Sequence, residues 1–441
     1  MELLLPQAGD RKGTPFWKSP AAWLREKKLG RGFWIFFTAA FFFDFGFSVY
    51  VFLFNLYLLD FHFNERSMGL IGGAATLGSV VGTLPAGVLA RKIGIRPLMI
   101  ACFIASTVLC ALRVIIVWEN AQLLLAFLSG LAMCLWGVCF LPALARLTTE
   151  ENRASAFSLI FSVSIGTATL GGIVCGYLQQ WLKMIGLVLQ PVEVKRIILL
   201  ASCGIAAMGL AAVLRLEMPV PRQEKQPAQA RQRKRWMPHP FLLRYLPAMA
   251  LWTAVLAAFT PFANVYLSKD LHVPMSRIGL IFSLAQVVQF FVGLLTPVLF
   301  RRLGMVPGIV VTQIATATTL GCLAATRNTQ LAVGLYLSFS ALQWMSAPGL
   351  YNLLMSKVPD EERSTAASGA LFCNAVIASG ATAEAGILFV RFGYPHVLMG
   401  IAALAFVVSM LFWLLVGPMD RRLPTQPQTA VGSLEGIEVE G

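Results

Sequence analysis

The sequence predicts an all-α integral membrane protein of twelve membrane-spanning helices, arranged as two six-helix bundles related by a pseudo-two-fold axis. Three observations predict it. Of the 441 residues 57% are hydrophobic and only 13% charged, the charges gather in short islands between long apolar runs, and the second half repeats the first at a constant offset. A soluble chain carries about a quarter charged residues. Runs of about 20 apolar residues cross a ~30 Å hydrocarbon core as helices, because in lipid each segment must satisfy its own amides. The alternating segments of a membrane β-barrel are absent.

The spans read, in order, as 33–59, 68–90, 97–117, 121–145, 154–181, 197–216, 241–267, 277–300, 306–326, 331–355, 364–390 and 395–417. The leading segment 1–32 has no secretory apolar region with a cleavage site. Its Trp17, Trp23, Arg25, Lys27 and Lys28 suit a stretch lying along a membrane face. Residues 33–216 form the first half and 241–417 the second. Between them, 217–240 reads EMPVPRQEKQPAQARQRKRWMPHP, a solvated linker without core-forming residues. A tail follows at 418–441.

The net charge of +14 is explained by topology rather than by a nucleic-acid partner. With the N-terminus inside, 26 of the 35 Lys and Arg fall on the inner side, so both termini are placed in the cytoplasm. The eight cysteines all sit in apolar runs, without metal or disulfide spacing. No glycosylation sequon occurs, which fits a bacterial inner membrane. No Gly-rich phosphate loop, His-Glu-x-x-His pair or Cys-rich site appears, so no enzyme, metal or cofactor is expected. A monomer is expected, with the lipid bilayer as its surroundings.

A shift of 210 residues lays one half on the other. Gly87, Arg91, Lys92, Gly94 and Pro97 fall on Pro297, Arg301, Arg302, Gly304 and Pro307. The same shift pairs Gly69 with Gly279, and Glu151, Arg153, Ala156 and Ser158 with Glu361, Arg363, Ala366 and Ser368. Asn55 and Tyr57 are echoed one residue out of register by Asn264 and Tyr266, and Asp60 and His62 in register by Asp270 and His272. Composition bias yields Leu and Ala matches, not charged matches at one offset on several loops. Six spans per copy make the copies parallel, about an axis along the membrane normal.

At this point the chain resembles the major facilitator superfamily over all twelve spans. The loop after the second span is similar to that family's signature: Gly87, Lys92, Gly94 and Arg96 fit, while Arg91 stands where the family has an acid. In the family that acid engages the N-terminus of the eleventh helix and latches the cytoplasmic side. A helix N-terminus repels Arg, yet Asp360, Glu361 and Glu362 precede the eleventh span, and Glu150 and Glu151 the fifth. This composes a charge-swapped latch, with Arg91 and Lys92 meeting Glu361 or Glu362, and Arg301 and Arg302 meeting Glu150 or Glu151. The plainer reading is topology-setting bases and N-capping acids.

The resemblance implies a secondary transporter whose halves rock about a midplane site. Asp44, roughly 16 Å along the first span, is the leading proton- or substrate-binding candidate, against a neutral packing role. Glu384 is its candidate partner in the second half, or else a carboxylate reaching the outer interface. Gln286, Gln289, Asn374, Trp136, Gln343 and Trp344 fall on spans that line the cavity in this family, against ordinary interhelical packing. Arg113 reads as an outer-end residue reaching the interface, and His62 and His272 as solvated. The fifth span has Gly171 and Gly172 without the antiporter proline of the family, and the fourth lacks the Arg usual in its drug exporters. Alternatives are a proton-driven multidrug efflux antiporter and, in another class, a non-transporting sensor or scaffold; the short soluble segments leave no room for a signalling domain.

Overall fold

The computed structural model describes residues 29–184, 190–218, 240–358 and 360–422. Among these no strand occurs, and the chain folds as α1 (Arg31–Asp60), α2 (Glu65–Ile93), α3 (Ile95–Ile115), α4 (Glu119–Leu147), α5 (Glu150–Met184), α6 (Pro191–Leu214), α7 (Pro240–Phe259), α8 (Met275–Leu303), α9 (Met305–Ala325), α10 (Thr329–Lys357) and α11 (Asp360–Arg422). Most of the segment 1–32, nearly all of the linker and most of the tail lie outside the described residues.

Helix ends follow local chemistry. Asn64 accepts the Ser67 amide at 3.0 Å at the start of α2, and Asn328 accepts those of Gln330 and Leu331 at the start of α10, each supplying an acceptor to an otherwise orphaned N–H. Gln190 and Glu193 form a capping box ahead of Pro191 at the start of α6. Gly94 and Gly304 divide α2 from α3 and α8 from α9 at φ of 91° and 88°, a region that suits glycine. Pro261 has no amide to donate. There α7 gives way to a 3-10 turn at Thr260–Phe262, one α turn and a π turn at Tyr266–Asp270.

Among the described residues ten stretches are long and apolar enough to cross a membrane, and the chain is an integral membrane protein. The count falls short of the twelve expected spans for two reasons. The spans 364–390 and 395–417 are two helices that meet directly at the non-helical Gly393, φ 75°, and so form one uninterrupted apolar stretch. The span 331–355 lies in α10, where Ser338, Ser340, Gln343, Ser346 and Asn352 dilute the apolar run.

The repeat reappears in the geometry. Helices α2 and α8 each have 29 residues, and α3 and α9 each have 21. Each second helix starts 210 positions after its mate. His62 and His272, exposed as expected, both take a positive φ, 62° and 53°.

Packing follows the same scheme. Within the first half α1 packs on α6, α2 on α4, and α3 on α4 and α6; within the second, α11 packs on α7 and α9, and α10 on α8 and α9. Across the halves, α2 packs on α11 and α5 on α8. Rings of α1, α3 and α4 fill one core: Phe43 lies 4.5 Å from Phe103 and 4.8 Å from Trp136. Five of the eight cysteines carry neighbours in these cores, and all eight are free thiols within helices.

Candidate functional site

The two halves of the chain meet along a seam, and the contacts there come in pairs related by the repeat. Asn55 of α1 donates to the Pro261 carbonyl at 2.8 Å, while Asn264 donates back to the Phe52 carbonyl at 2.8 Å. Each donor and each acceptor is the other's mate at the shift noted above for Asn55. Gly69 faces Gly386 on one flank, and Gly279 faces Gly172 and Gly176 on the other. A Cβ at Gly69 would stand 2.7 Å from the Thr382 carbonyl, and one at Gly279 would collide with the Gly172 carbonyl. The helices touch backbone to backbone. Ser379 then donates to the Gly73 carbonyl at 2.7 Å and Ser283 to the Thr169 carbonyl at 2.6 Å.

One further contact crosses the seam. Glu65, 2% exposed, receives Lys269 Nζ at 2.7 and 2.9 Å and the Tyr394 hydroxyl at 3.3 Å. An anion buried beside its cation and a hydroxyl is compensated where an isolated one would be costly. Sequence reasoning missed this cluster, because Glu65 and Lys269 stand near span ends and read as ordinary boundary charges.

All these contacts lie toward the helix ends that carry Asp60, Glu65 and Lys269. Toward the opposite end no such contact between the halves occurs among the described residues. A side chain added at Gly87, Gly293 or Gly369 would meet nothing within 4 Å, and Leu84, Leu294, Leu295 and Leu371 are exposed. Arg91, Lys92, Arg301 and Arg302 are exposed there as well. Their candidate partners Glu150, Glu151, Glu361 and Glu362 have side chains outside the described residues. Of the signature residues, Gly94 makes the positive-φ turn. Arg96 donates to the Leu214 carbonyl at 2.5 Å, tying that turn to the end of α6.

Asp44 is half-buried between α1 and α5, and Ser164 donates to its Oδ2 at 2.6 Å. Phe37, Ala40, Phe41, Ile160, Val163 and Thr167 close around the pair. Asp44 precedes Asn55 by eleven residues, close to three full turns, so it shares the helix stripe that reaches across the seam. By the same reasoning Gln286 sits two turns beyond Gly279, on the seam-facing stripe of α8, where the halves begin to part.

The remaining candidates fall elsewhere. Gln289 donates to Ser340 at 2.6 Å, and Gln343 accepts from Thr260 at 3.1 Å; both serve helix packing in this conformation. Trp136 is stacked in the aromatic core of the first half, 5.9 Å from Phe36. Trp344 points outward, 58% exposed. Asn374, the repeat mate of Ser164, is half-buried. Glu384 does not join Asp44. It lines a separate cleft of about 520 Å³ between α7 and the two arms of α11, off the face of α11 that Ser379, Ala383 and Gly386 present to α2.

Arg113 corrects the expectation of an interface-reaching residue: it is 7% exposed. Its guanidinium lies 4.3 Å from the centre of the Phe54 ring and donates to Gln122 at 3.3 Å and Ser129 at 3.4 Å. A ring face and two neutral acceptors hold the cation inward.

Known structures share this architecture. A point mutant of the nucleoside transporter NupG superposes with a TM-score of 0.72 at 14% identity, covering 87% of this chain and 100% of that one. A D-xylose–proton symporter gives 0.69 at 14% identity, over 87% and 97%. A bacterial homologue of the human lysosomal transporter Spinster, in an inward-facing occupied conformation, gives 0.66 at 13% identity, over 92% and 100%. At such identities the likeness shows the fold. No curated protein matches the sequence. The model of one family does match, over residues 36–383 and so across the first copy of the repeat and most of the second: the chain belongs to the Major Facilitator Superfamily.

Proposed function

We propose that the protein is a secondary active transporter that carries a small solute across a bacterial inner membrane by alternating access. In this reading α11 counts as two spans parted at Gly393. Residues 33–216 and 241–417 are then two six-helix bundles about a pseudo-two-fold axis, joined by the cytoplasmic linker 217–240. The observation that carries it is the one-sided seam: repeat-related contacts seal the end bearing Glu65, while the end bearing Arg91 and Arg301 is open. A scaffold has no need of a seam closed at one end only. With both termini inside, this is the inward-open state, and the charge-swapped latch of Arg91 and Lys92 with Glu361 or Glu362 belongs to the opposite state.

Asp44 is the proposed proton site. A carboxylate on the seam-facing stripe, held by one hydroxyl donor, gains or loses a proton as the seam wets or dries. The fold is shared with a nucleoside transporter and with a D-xylose–proton symporter, which makes polar metabolites the first solutes to test. The efflux alternative drew on the Phe-rich first span. Since Phe36 and Phe43 are spent on the ring cluster with Trp136, the polar-solute reading is preferred.

The test is a thermal-shift screen of the purified protein against nucleosides, sugars and amphipathic cations across pH. Flux of each hit is then measured in liposomes under an imposed pH gradient. Gradient-driven flux of a polar solute supports the reading. Binding with no flux in either direction overturns it in favour of a sensor.

A further inference from the structure

The cleft that holds Glu384 is unused by the proposed pathway, and its chemistry is specific. At about 520 Å³ it falls within the size range of small-molecule sites. Small residues create the space: Ala254 and Ala258 on α7, Ala381 and Ala385 before the Gly393 break, and Gly400 after it. Leu388, Phe392, Val397, Ile401 and Leu404 complete an apolar wall. Two polar side chains interrupt it. His396 places Nδ1 3.0 Å from the Phe392 carbonyl, so that nitrogen is engaged. Glu384 has no hydrogen-bond or ion-pair partner among the described residues, and it lies inside a span.

An ionised carboxylate in such surroundings is stabilised by a cation, and among the described residues no Lys, Arg or His pairs with Glu384; His396, on the same cleft, turns its Nδ1 to the Phe392 carbonyl instead. Arg391 lies two turns away in sequence, with its guanidinium over the Phe392 ring instead. The cleft opens at the surface of the helix bundle, beside Gly380 and Arg391, which share the Glu384 face of α11 and are exposed as well. Its occupant therefore reaches it through lipid, carries an apolar body to cover the wall, and presents one positive centre to Glu384. Depth separates two sources of that charge. Glu384 precedes Arg391 by seven residues, about 10 Å along the helix. An ammonium on a phospholipid stays at the headgroup level outside the hydrocarbon, too shallow to meet it.

We infer that the cleft between α7 and the two arms of α11 is a lateral binding site for a membrane-partitioned amphipathic amine, with Glu384 as its counter-ion. The site is independent of the pathway at Asp44.

The probe is a long-chain alkylamine carrying a photoreactive diazirine, applied to the full-length protein in phosphatidylcholine nanodiscs, with labelled peptides mapped by mass spectrometry. Label is expected on the stretch from Ala381 to Leu404, displaced by unlabelled amine but not by the alcohol of equal chain length. Glu384→Gln should lower this labelling at least tenfold, a loss of about 1.4 kcal/mol or more in binding. Gly400→Leu, which fills the cleft and keeps the charge, should lower it as much, whereas Asp44→Asn should leave it unchanged. A melting curve for each variant confirms that it is folded. Undiminished labelling of folded Glu384→Gln overturns the inference. So does loss of labelling when phosphatidylethanolamine replaces phosphatidylcholine, since a lipid headgroup would then own the site. Loss in Asp44→Asn alone would assign the amine to the transport pathway and overturn it too.

Discussion

At the scale of single residues, the polar atoms that matter are those whose partner lies on another helix. Ser164 supplies a charge-assisted donor to Asp44, a bond worth about 1.5–3 kcal/mol. Ser164→Ala is expected to change the pH profile of flux, because it withdraws the donor that holds the Asp44 carboxylate. Asp44→Asn is expected to abolish the pH dependence altogether. Both are read from initial rates in liposomes between pH 5 and 8, roughly the range of such profiles; a profile unchanged in Asp44→Asn removes Asp44 from coupling. Gly94 and Gly304 hold positive φ. Replacing either by Ala should cost about 1 kcal/mol, seen as a lower melting temperature with flux retained.

At the scale of elements, the seam depends on helices that approach backbone to backbone. Gly279→Leu and Gly386→Leu place side chains where carbonyls now stand, so each should hold the Glu65 end apart. A cysteine at position 55 would then react with a water-soluble maleimide in these variants and stay protected in the parent seam. Equal protection in all would mean that the glycines are incidental. The sequence carried much of this level. The positions of α2, α3, α8 and α9 and the glycine mates Gly69 and Gly279 were readable from periodicity and the shift. So was the break between the last two spans, where Gly393 takes a positive φ between two apolar runs. The inward turn of Arg113 was not, because its acceptors Gln122 and Ser129 come from the next helix and leave no mark in linear spacing. Glu384 was legible as an intramembrane acid, but which wall of α11 bears it depends on how α7 and the last span pack.

At the scale of the whole molecule, the two ends of the seam exchange roles as the halves rock. Joining Glu65→Cys to Lys269→Cys through a short bifunctional methanethiosulfonate linker, in a chain freed of its native cysteines, should arrest the protein with this end shut. Flux should stop on cross-linking and return with reductant; continued flux while cross-linked would count against rocking. The proposed latch at the other end makes a complementary forecast. Arg91→Glu and Glu361→Arg should each impair flux and together restore it, and failure of the double variant would return Arg91 to a purely topological role.

Glu65 and Lys269 bind the α2 flank, and the repeat positions that would duplicate them on the α8 flank hold Met275 and Leu59. Neutral contacts are shared by both margins, whereas among the described residues this charged one is stitched along a single edge. Parting should therefore run like the opening of a page glued on one side, starting where α5 meets α8 and ending where Lys269 lets go. Spin-label distances across α5–α8 should lengthen before those across α2–α11, and raised salt or neutralised Glu65 should shrink the lag between them.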